Sequence, residues 1–358
     1  MIRKKFAMWK IIAMVLSLVF FVFIIGCQSA TQPSDESQTG KEAADEVIEL
    51  RLTHINSSIH PTHIALEKFS EEVYNRTNGK VKIVLFPSDT LNPPMETYNA
   101  VKTGLADIGR APVGYSAAVM PLNKLFGDAM MGVPNATEAA KIWTIAFNNM
   151  PELQEELDGL HVLWLNSTSA LSVGTTDTPI QSLDDFKGLI MRFPPGLEPL
   201  AEAWGASPIS MPTGDIYVGL EKNTIDGFYG GSEMLVSMKL AEYAKYVNTN
   251  LSMVYGLSYL AMNQKVWDSL PADVQEVFNE LEEWGQNLLM ESFDEGEKSA
   301  REFAASEGCQ FTDIDEVELQ KIYEVSKPVF AKIAADLEKQ GKAANKVLSE
   351  LERLTSQK

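Results

Sequence analysis

One arginine in the middle of the chain is placed where a ligand would be bound. The segment 184–227 predicts strand, helix, strand, helix, strand, and Arg192 lies at the carboxyl end of the first strand. Ligands of open α/β sheets collect beyond the carboxyl ends of strands, and a guanidinium binds a carboxylate through two parallel hydrogen bonds. The rigid turn 193–196 (FPPG) would fix the direction of the side chain. No nucleophile or general base is recognisable beside it, so we interpret the segment as a binding site and not a catalytic one.

Other candidate ligand contacts follow predicted strands or lie in predicted turns. Arg110 comes directly after a short predicted strand and would supply a second cation; the alternative is that it points to solvent. Tyr217 lies inside a predicted helix, where packing is the alternative to ligand contact. Phe228 and Tyr229 are expected in a turn between a strand and a helix, and packing in the core is their alternative too. The further candidates for the ligand site are His54, Asn56, Tyr115, Tyr217, Phe228 and Tyr229.

The sequence gives little support to metal or catalytic chemistry. His54, His60 and His63 are of a residue type that binds zinc, but Pro61 separates the last two and His60 fits the start of a helix. There is no GxSxG motif and no Cys–His pair, and Gly230-Gly231-Ser232 is too short for a phosphate-binding loop. We therefore expect no metal, no cofactor and no enzymatic activity.

The charge balance argues against nucleic acid as a partner. The chain has 30 basic and 49 acidic residues and a formal net charge of −19. Cleavage before Cys27 would remove four basic residues and take the charge to −23. Such a surface repels phosphate backbones and anionic lipid headgroups. An anionic ligand would therefore need a local cationic site.

The N-terminus reads as a lipoprotein signal peptide over residues 1–26. A positively charged start precedes an apolar run at 11–25, which is shorter than the roughly 20 residues of a spanning helix. Ile24-Ile25-Gly26-Cys27 resembles a bacterial lipobox, which implies lipid on Cys27; the alternative is an uncleaved single-span anchor. Residues 27–46 are polar and predict a flexible tether to the cell membrane, outside the cytoplasm. Cys309 would then have no disulfide partner.

The periodicity of the folded part predicts an α/β fold with a mainly parallel sheet and helices on both faces. Pro271 opens a helix of roughly 30 residues, far longer than average. A coiled-coil or dimer helix is the alternative, but Gly285 favours a helix that braces the molecule internally. A last amphipathic helix is expected over 317–354 with breaks near Pro328 and Gly341. Strands are predicted at 49–54, 80–86, 105–109, 161–165 and 170–174, and segments 247–252 and 255–262 are expected to lead the chain back to the first lobe. Earlier helices are expected to start at Pro61, closed by 77–79, and at Pro94, stopping at Gly104.

Several stretches in order resemble the extracytoplasmic solute-binding proteins of TRAP (tripartite ATP-independent periplasmic) transporters. The resemblance implies a two-lobed periplasmic-binding-protein-like α/β fold, with a ligand cleft between the lobes and a long bracing helix. It also implies a small organic carboxylate as ligand, an arginine at the position of Arg192 that binds the carboxylate, and delivery to the small and large membrane subunits of an ion-gradient-driven permease. The stretches are 60–91, 100–109, 182–194, 205–227 and 266–278.

Two departures from the family pattern bear on the ligand. Asp226-Gly227-Phe228-Tyr229 stands where the family often has DGxE, and residues 168–176 lack a second arginine found in some members. Arg110 would replace that arginine from the opposite lobe, and the aromatic pair favours a ligand with an apolar part. The alternatives are an ABC-type amino-acid or sugar receptor, and a surface lipoprotein enzyme or sensor. The expected lobes are 47–169 with 258–297, and 170–257 with 298–358.

Overall fold

The computed structural model describes residues 47–251 and 253–356; the signal peptide, Cys27 and the rest of the tether lie outside the described residues. The strands are β1 (Ile48–His54), β2 (Val81–Phe86), β3 (Ile108–Pro112), β4 (Leu160–Ala170), β5 (Ser172–Thr175), β6 (Ile190–Phe193), β7 (Ser207–Ser210), β8 (Gly227–Gly230), β9 (Tyr246–Asn248), β10 (Tyr255–Asn263) and β11 (Gln310–Thr312). The helices are α1 (Pro61–Arg76), α2 (Thr97–Thr103), α3 (Pro121–Asp128), α4 (Ala136–Asn149), α5 (Pro151–Gln154), α6 (Glu198–Trp204), α7 (Ile216–Glu221), α8 (Met234–Ser237), α9 (Gln264–Ser269), α10 (Ala272–Ser306), α11 (Glu316–Lys339) and α12 (Ala344–Thr355).

Two sheets define two lobes. The sheet of the first lobe has the order β2-β1-β3-β10-β4, in which the first three strands are parallel and β10 is antiparallel to both its neighbours. The sheet of the second lobe has the order β11-β9-β5-β8-β6-β7, with β5 antiparallel to β8 and β9. Both sheets are mixed: each contains parallel strands from βαβ units and at least one antiparallel strand, whereas a mainly parallel sheet was expected.

Helix α1 shows how the sequence signals become structure. His60 caps it, since its Nδ1 accepts the Thr62 backbone N–H at 3.1 Å, and Pro61 occupies the first turn. The predicted face of the helix, which includes Phe69 and Val73, is buried against the first sheet. Shortly after the helix ends, Gly79 adopts a φ of 80°, a conformation that favours glycine.

The long helix α10 connects the two lobes. It packs on α1 and β4 of the first lobe and on α8 of the second. Close approach to β4 depends on Gly285, because an added Cβ would lie 2.6 Å from Cζ3 of Trp164. The Gln286 side chain also donates to the Leu165 carbonyl oxygen at 2.5 Å. Among the residues described, no helix combines the length and apolar character needed to span a membrane.

Two element predictions were wrong. The third strand was expected at 105–109 but occupies Ile108–Pro112, because its inward-facing pattern continues through the arginine that follows Gly109. The last helix was expected to break near Pro328, which instead lies inside α11. A proline costs one backbone hydrogen bond, and burial of Phe330 and Ala334 beyond it holds the helix together. The break near Gly341 is confirmed, with a φ of 78°.

The Gly285–Trp164 contact predicts the effect of adding one methyl group. Gly285→Ala should lower the free energy of unfolding by about 1–2 kcal/mol. Overpacking against the buried Trp164 ring should cost about 2–3 kcal/mol, the upper part of the usual range, and the gain in helix propensity offsets about 1 kcal/mol of it. Urea unfolding of the purified protein measures the change. Gly296→Ala, in the same helix but with its nearest contact at 3.0 Å from Pro61 Cγ, is the matched control. Equal stability of Gly285→Ala and the wild type would contradict the close packing.

Candidate ligand-binding site

A cavity of about 470 Å³ lies where strands of both sheets end. Its polar wall comes from the ends of β1, β3, β6, β7 and β8, where open α/β sheets collect ligands. Most of its remaining wall is apolar. The apolar lining residues are Ile55, Pro94, Pro112, Val113, Leu171, Pro194, Pro195, Leu197, Pro212, Met234, Met238, Val254, Leu257 and Phe293.

Arg192 lies in the cavity wall, in the position expected from the sequence. Its neighbours Met191 and Phe193 belong to the large hydrophobic core, and strand alternation turns the arginine away from that core. Nε donates to the Met211 carbonyl oxygen and Nη1 to the Tyr229 carbonyl oxygen, both at 3.1 Å. The side chain is only 3 % exposed. Burial lowers the pKa of Arg192 to about 10, so it stays charged at neutral pH.

Arg110 lines the same cavity from β3 of the first lobe and is 2 % exposed. Nη1 donates to Asn56 Oδ1 at 3.0 Å. In the amide orientation that satisfies both of its polar atoms, Asn166 accepts from Arg110 Nη2 at 3.2 Å and donates to the Ser258 carbonyl oxygen. Nε of Arg110 is buried and has no partner among the described residues. Burial lowers the pKa of Arg110 to about 10, and the charge of Glu233 opposes this shift.

Both guanidiniums are held by neutral acceptors. Among the ion pairs of the described residues, none involves Arg110 or Arg192. Lys124 also lines the cavity, but it pairs with Asp128 and that pair is neutral as a unit. The cavity therefore contains two buried positive charges that an anion would neutralise.

Besides Asp128, which pairs with Lys124, and the exposed Asp215, two carboxyl groups line the cavity. Glu233 is 7 % exposed, and its Oε2 has no hydrogen-bond partner in the described part of the chain. Burial raises the pKa of Glu233 to about 7; Glu297 raises it further, while its own backbone and Arg110 lower it. Asp89 also lines the cavity, and partial burial raises its pKa to about 6. Sequence reasoning missed both acids, although Glu233 directly follows the small residues 230–232 after β8.

Three of the other predicted residues are tied to this site. Asn56 lines the cavity and holds Arg110. Tyr115 lines it too, and its hydroxyl shares a 2.8 Å hydrogen bond with Thr213 Oγ1, which joins the two lobes. His54 is fully buried outside the cavity wall, where its Nδ1 accepts the Asn56 backbone N–H at 3.3 Å. Burial lowers the pKa of His54 to about 3, so it is a neutral support for Asn56.

The three remaining aromatic candidates lie outside the cavity wall. Phe228 and Tyr229 were expected in a turn, but they belong to β8 and alternate between two cores on opposite faces of the sheet. The Tyr229 ring packs 5.3 Å from Trp204, and only its carbonyl oxygen touches Arg192. Tyr217 donates to Glu242 at 2.6 Å on the surface. In these three cases the packing alternative is the one found.

No group of three or more metal-ligating side chains occurs in residues 47–251 and 253–356. The histidines considered as zinc ligands have other partners. His60 caps α1, and His54 Nε2 shares a 3.0 Å hydrogen bond with His63 Nδ1. His63 in turn lies 3.1 Å from Glu67 Oε1 through its Nε2. These bonds form one chain from the Asn56 backbone to the surface.

The buried carboxyl of Glu233 predicts a pH dependence of stability. In the unfolded chain its pKa is near 4.5 and in the folded protein about 7, so between these values the folded state binds more protons. The free energy of unfolding of the wild type should therefore fall across this window, by about 3 kcal/mol relative to Glu233→Gln. Urea unfolding at pH 4.5 to 8 without ligand measures it. A wild-type-to-variant difference that does not change with pH would contradict the burial of this group.

Comparison with known proteins places the chain in a family. Residues 52–337 match the model of the bacterial extracellular solute-binding proteins, family 7. The chain is 26 % identical over 262 residues to the 2,3-diketo-L-gulonate-binding periplasmic protein of Escherichia coli, covering 73 % of this chain and 76 % of that protein. It is 26 % identical over 310 residues to the C4-dicarboxylate-binding periplasmic protein of Rhodobacter capsulatus, covering 82 % and 88 %.

Solved structures agree with this assignment. A TRAP periplasmic solute-binding protein of Desulfovibrio salexigens superposes with a TM-score of 0.77 at 26 % identity, covering 87 % of this chain and 96 % of the other. One from Rhodoferax ferrireducens, in complex with copurified benzoate, gives a TM-score of 0.80 at 22 % identity, covering 87 % and 98 %. The predicted two-lobed α/β fold is thereby confirmed. The chain belongs to the family of TRAP solute-binding proteins, which are transport receptors and not enzymes.

Proposed function

We propose that this chain is a receptor that captures a small organic carboxylate in the cleft between its lobes. Arg192 binds the ligand carboxylate through its free N–H groups, and Arg110 adds a second positive charge from the opposite lobe. Asn56 orients Arg110, and Tyr115 contributes to the cleft wall. His54 acts through Asn56, while Phe228, Tyr229 and Tyr217 stabilise the second lobe without touching the ligand.

The observation that carries this proposal is the pair of buried arginines without an acidic partner. Removing a guanidinium from water costs several kcal/mol, which an anionic ligand offsets when it forms charged hydrogen bonds. Strand ends and backbone carbonyl oxygens hold Arg192 in a fixed direction before any ligand arrives. This pre-organisation lowers the entropy cost of binding.

The apolar lining supports a ligand with a hydrophobic body. The walls carry proline, leucine, valine and methionine side chains and Phe293. Such a surface excludes water and strengthens the charge interaction at Arg192. Relatives named for a sugar acid and for C4-dicarboxylates, and a structure containing benzoate, agree with an organic acid of this size.

We further propose how the receptor is attached and what it delivers to. Lipid on Cys27 anchors it outside the cytoplasm, and residues 27–46 form the tether. The closed, loaded receptor passes its ligand to the small and large subunits of a TRAP permease driven by an ion gradient. Residues 47–169 with 258–297 form lobe I, and residues 170–257 with 298–358 form lobe II.

Substitution of Arg192 tests the carboxylate site. A thermal-shift screen of the purified protein against organic acids, amino acids, sugars and divalent metals first identifies the tightest ligand. Arg192→Met keeps the bulk but removes the charge, and should weaken binding of that acid roughly 100-fold or more, since loss of a buried charge partner costs about 3–5 kcal/mol. Calorimetry measures the dissociation constants, with Arg192→Lys expected in between.

Arg353→Met is the matched control for this test. Arg353 forms an exposed ion pair with Glu350 in α12 and does not line the cavity, so its loss should change affinity less than about twofold. If Arg192→Met binds the acid within threefold of the wild type, the proposed carboxylate site is wrong. Stabilisation only by metals or uncharged sugars in the first screen would contradict the proposal as well.

The hydrogen bond between the lobes gives a second prediction. Tyr115→Phe removes the bond to Thr213 and should weaken acid binding about 2- to 10-fold, since a neutral hydrogen bond contributes about 0.5–1.5 kcal/mol. Tyr217→Phe removes an exposed tyrosine hydrogen bond outside the cavity and should leave the affinity unchanged. Stopped-flow binding distinguishes them, with the loss in Tyr115→Phe expected in the dissociation rate. Equal dissociation rates of both variants would show that Tyr115 does not hold the lobes together.

A further inference from the structure

Glu233 is an acidic residue in the wall of a cavity that also contains two buried arginines. It follows β8 and is more than nine-tenths buried. Gly231 makes room for it, because an added Cβ there would lie 2.2 Å from Oε2 and 2.3 Å from Oε1. Oε2 has no hydrogen-bond donor anywhere in the described residues. The fold therefore keeps an acceptor at the cavity without supplying a partner for it.

The charges around Glu233 differ from those around Arg192. Arg110 attracts the carboxyl group, and Glu297 of α10 repels it. Arg110 forms no ion pair with it and has an unsatisfied Nε of its own. This end of the cavity thus offers both a donor and an acceptor with little net charge. Around Arg192, by contrast, hydrogen bonds run to carbonyl oxygens and the positive charge is uncompensated.

We propose that Glu233 and Arg110 form a subsite for a hydroxyl group of the ligand, with Glu233 as a specificity-determining residue. A hydroxyl donates one hydrogen bond to Glu233 and accepts one from Arg110, so it satisfies both. A second ionised carboxylate would be repelled by Glu233. The ligand class is therefore a hydroxy acid with an apolar body, whose carboxylate lies at Arg192. This inference rests on the proposed function and names its ligand.

Matched sets of acids test the subsite. The probes are phenylacetate with its 3- and 4-hydroxy and 3- and 4-aminomethyl derivatives, and hexanoate with 6-hydroxyhexanoate and 6-aminohexanoate. Calorimetry at pH 7.5 on the full-length protein in detergent gives the affinity ratio between each hydroxy acid and its parent. For the set that binds most tightly, we expect the hydroxy acid to be favoured about 10- to 100-fold, as for a hydrogen bond to a charged group.

Three variants then assign this preference to Glu233. In Glu233→Met the ratio should fall to about 1, and Glu233→Gln, which keeps a neutral acceptor, should be intermediate. Glu350→Gln removes a carboxylate charge outside the cavity lining, one that is not among the groups acting on Glu233, and should keep the wild-type ratio. Because each ratio compares two ligands on one protein, a general loss of stability does not change it.

The outcomes distinguish failure of the hydroxyl subsite from failure of the proposed carboxylate receptor. Equal binding of parent and hydroxy acids, preference for the amino derivative, or an unchanged ratio in Glu233→Met would overturn the hydroxyl subsite. If acids bind in an Arg192-dependent way under those outcomes, the carboxylate receptor itself stands. If no acid of the panel or of the wider screen binds, the proposed function fails and the subsite fails with it.

Discussion

The rest of this structure depends on one constraint: the guanidinium groups of Arg110 and Arg192 are buried without forming an ion pair with a carboxylate. A buried ion loses several kcal/mol of hydration, and an ion pair within the protein would recover much of it. Here Arg110 and Arg192 are instead held by carbonyl and amide oxygens. These acceptors satisfy hydrogen bonds but leave the charge uncancelled. The fold thereby keeps a buried positive charge, least compensated at Arg192, that a bound anion would neutralise.

The strands supply the rigidity that this arrangement needs. The acceptors of Arg192 come from β8 and from the residue following β7, both in its own sheet. Those of Arg110 come from the end of β1 and from β4. Each arginine is therefore fixed within its own lobe, and assembly of the complete site depends on how the lobes meet. Helix α10, the C-terminal helices α11 and α12 and the Tyr115–Thr213 bond are among the contacts that span them.

Local signals in the sequence predicted much of this architecture. Pro61 marked the start of α1 and Gly104 the end of α2. Arg192, predicted at a strand end, lies in the cavity wall, and its binding role stays a prediction. The alternation of side chains within β8 was not recognised: Phe228 and Tyr229 lie in two cores and do not line the cavity. Acidic residues such as Glu233 were missed because burial of a carboxyl depends on packing between distant segments. The lobe boundaries and Cys27 stay predictions.

The position of Glu233 shows why net charge alone describes this receptor poorly. The chain is acidic overall, with a formal net charge of −19, yet the cavity wall contains two buried arginines, of which Arg192 has no acidic group acting on it. The charge is also distributed unevenly within the cavity. The carboxylate of Glu233 raises the pKa of Arg110, but Glu233 is not among the groups that shift the pKa of Arg192. In a low-dielectric enclosure such unevenness produces a strong local field. The field would orient a ligand with its negative end toward Arg192 before the lobes close, so orientation and affinity arise from the same buried charges.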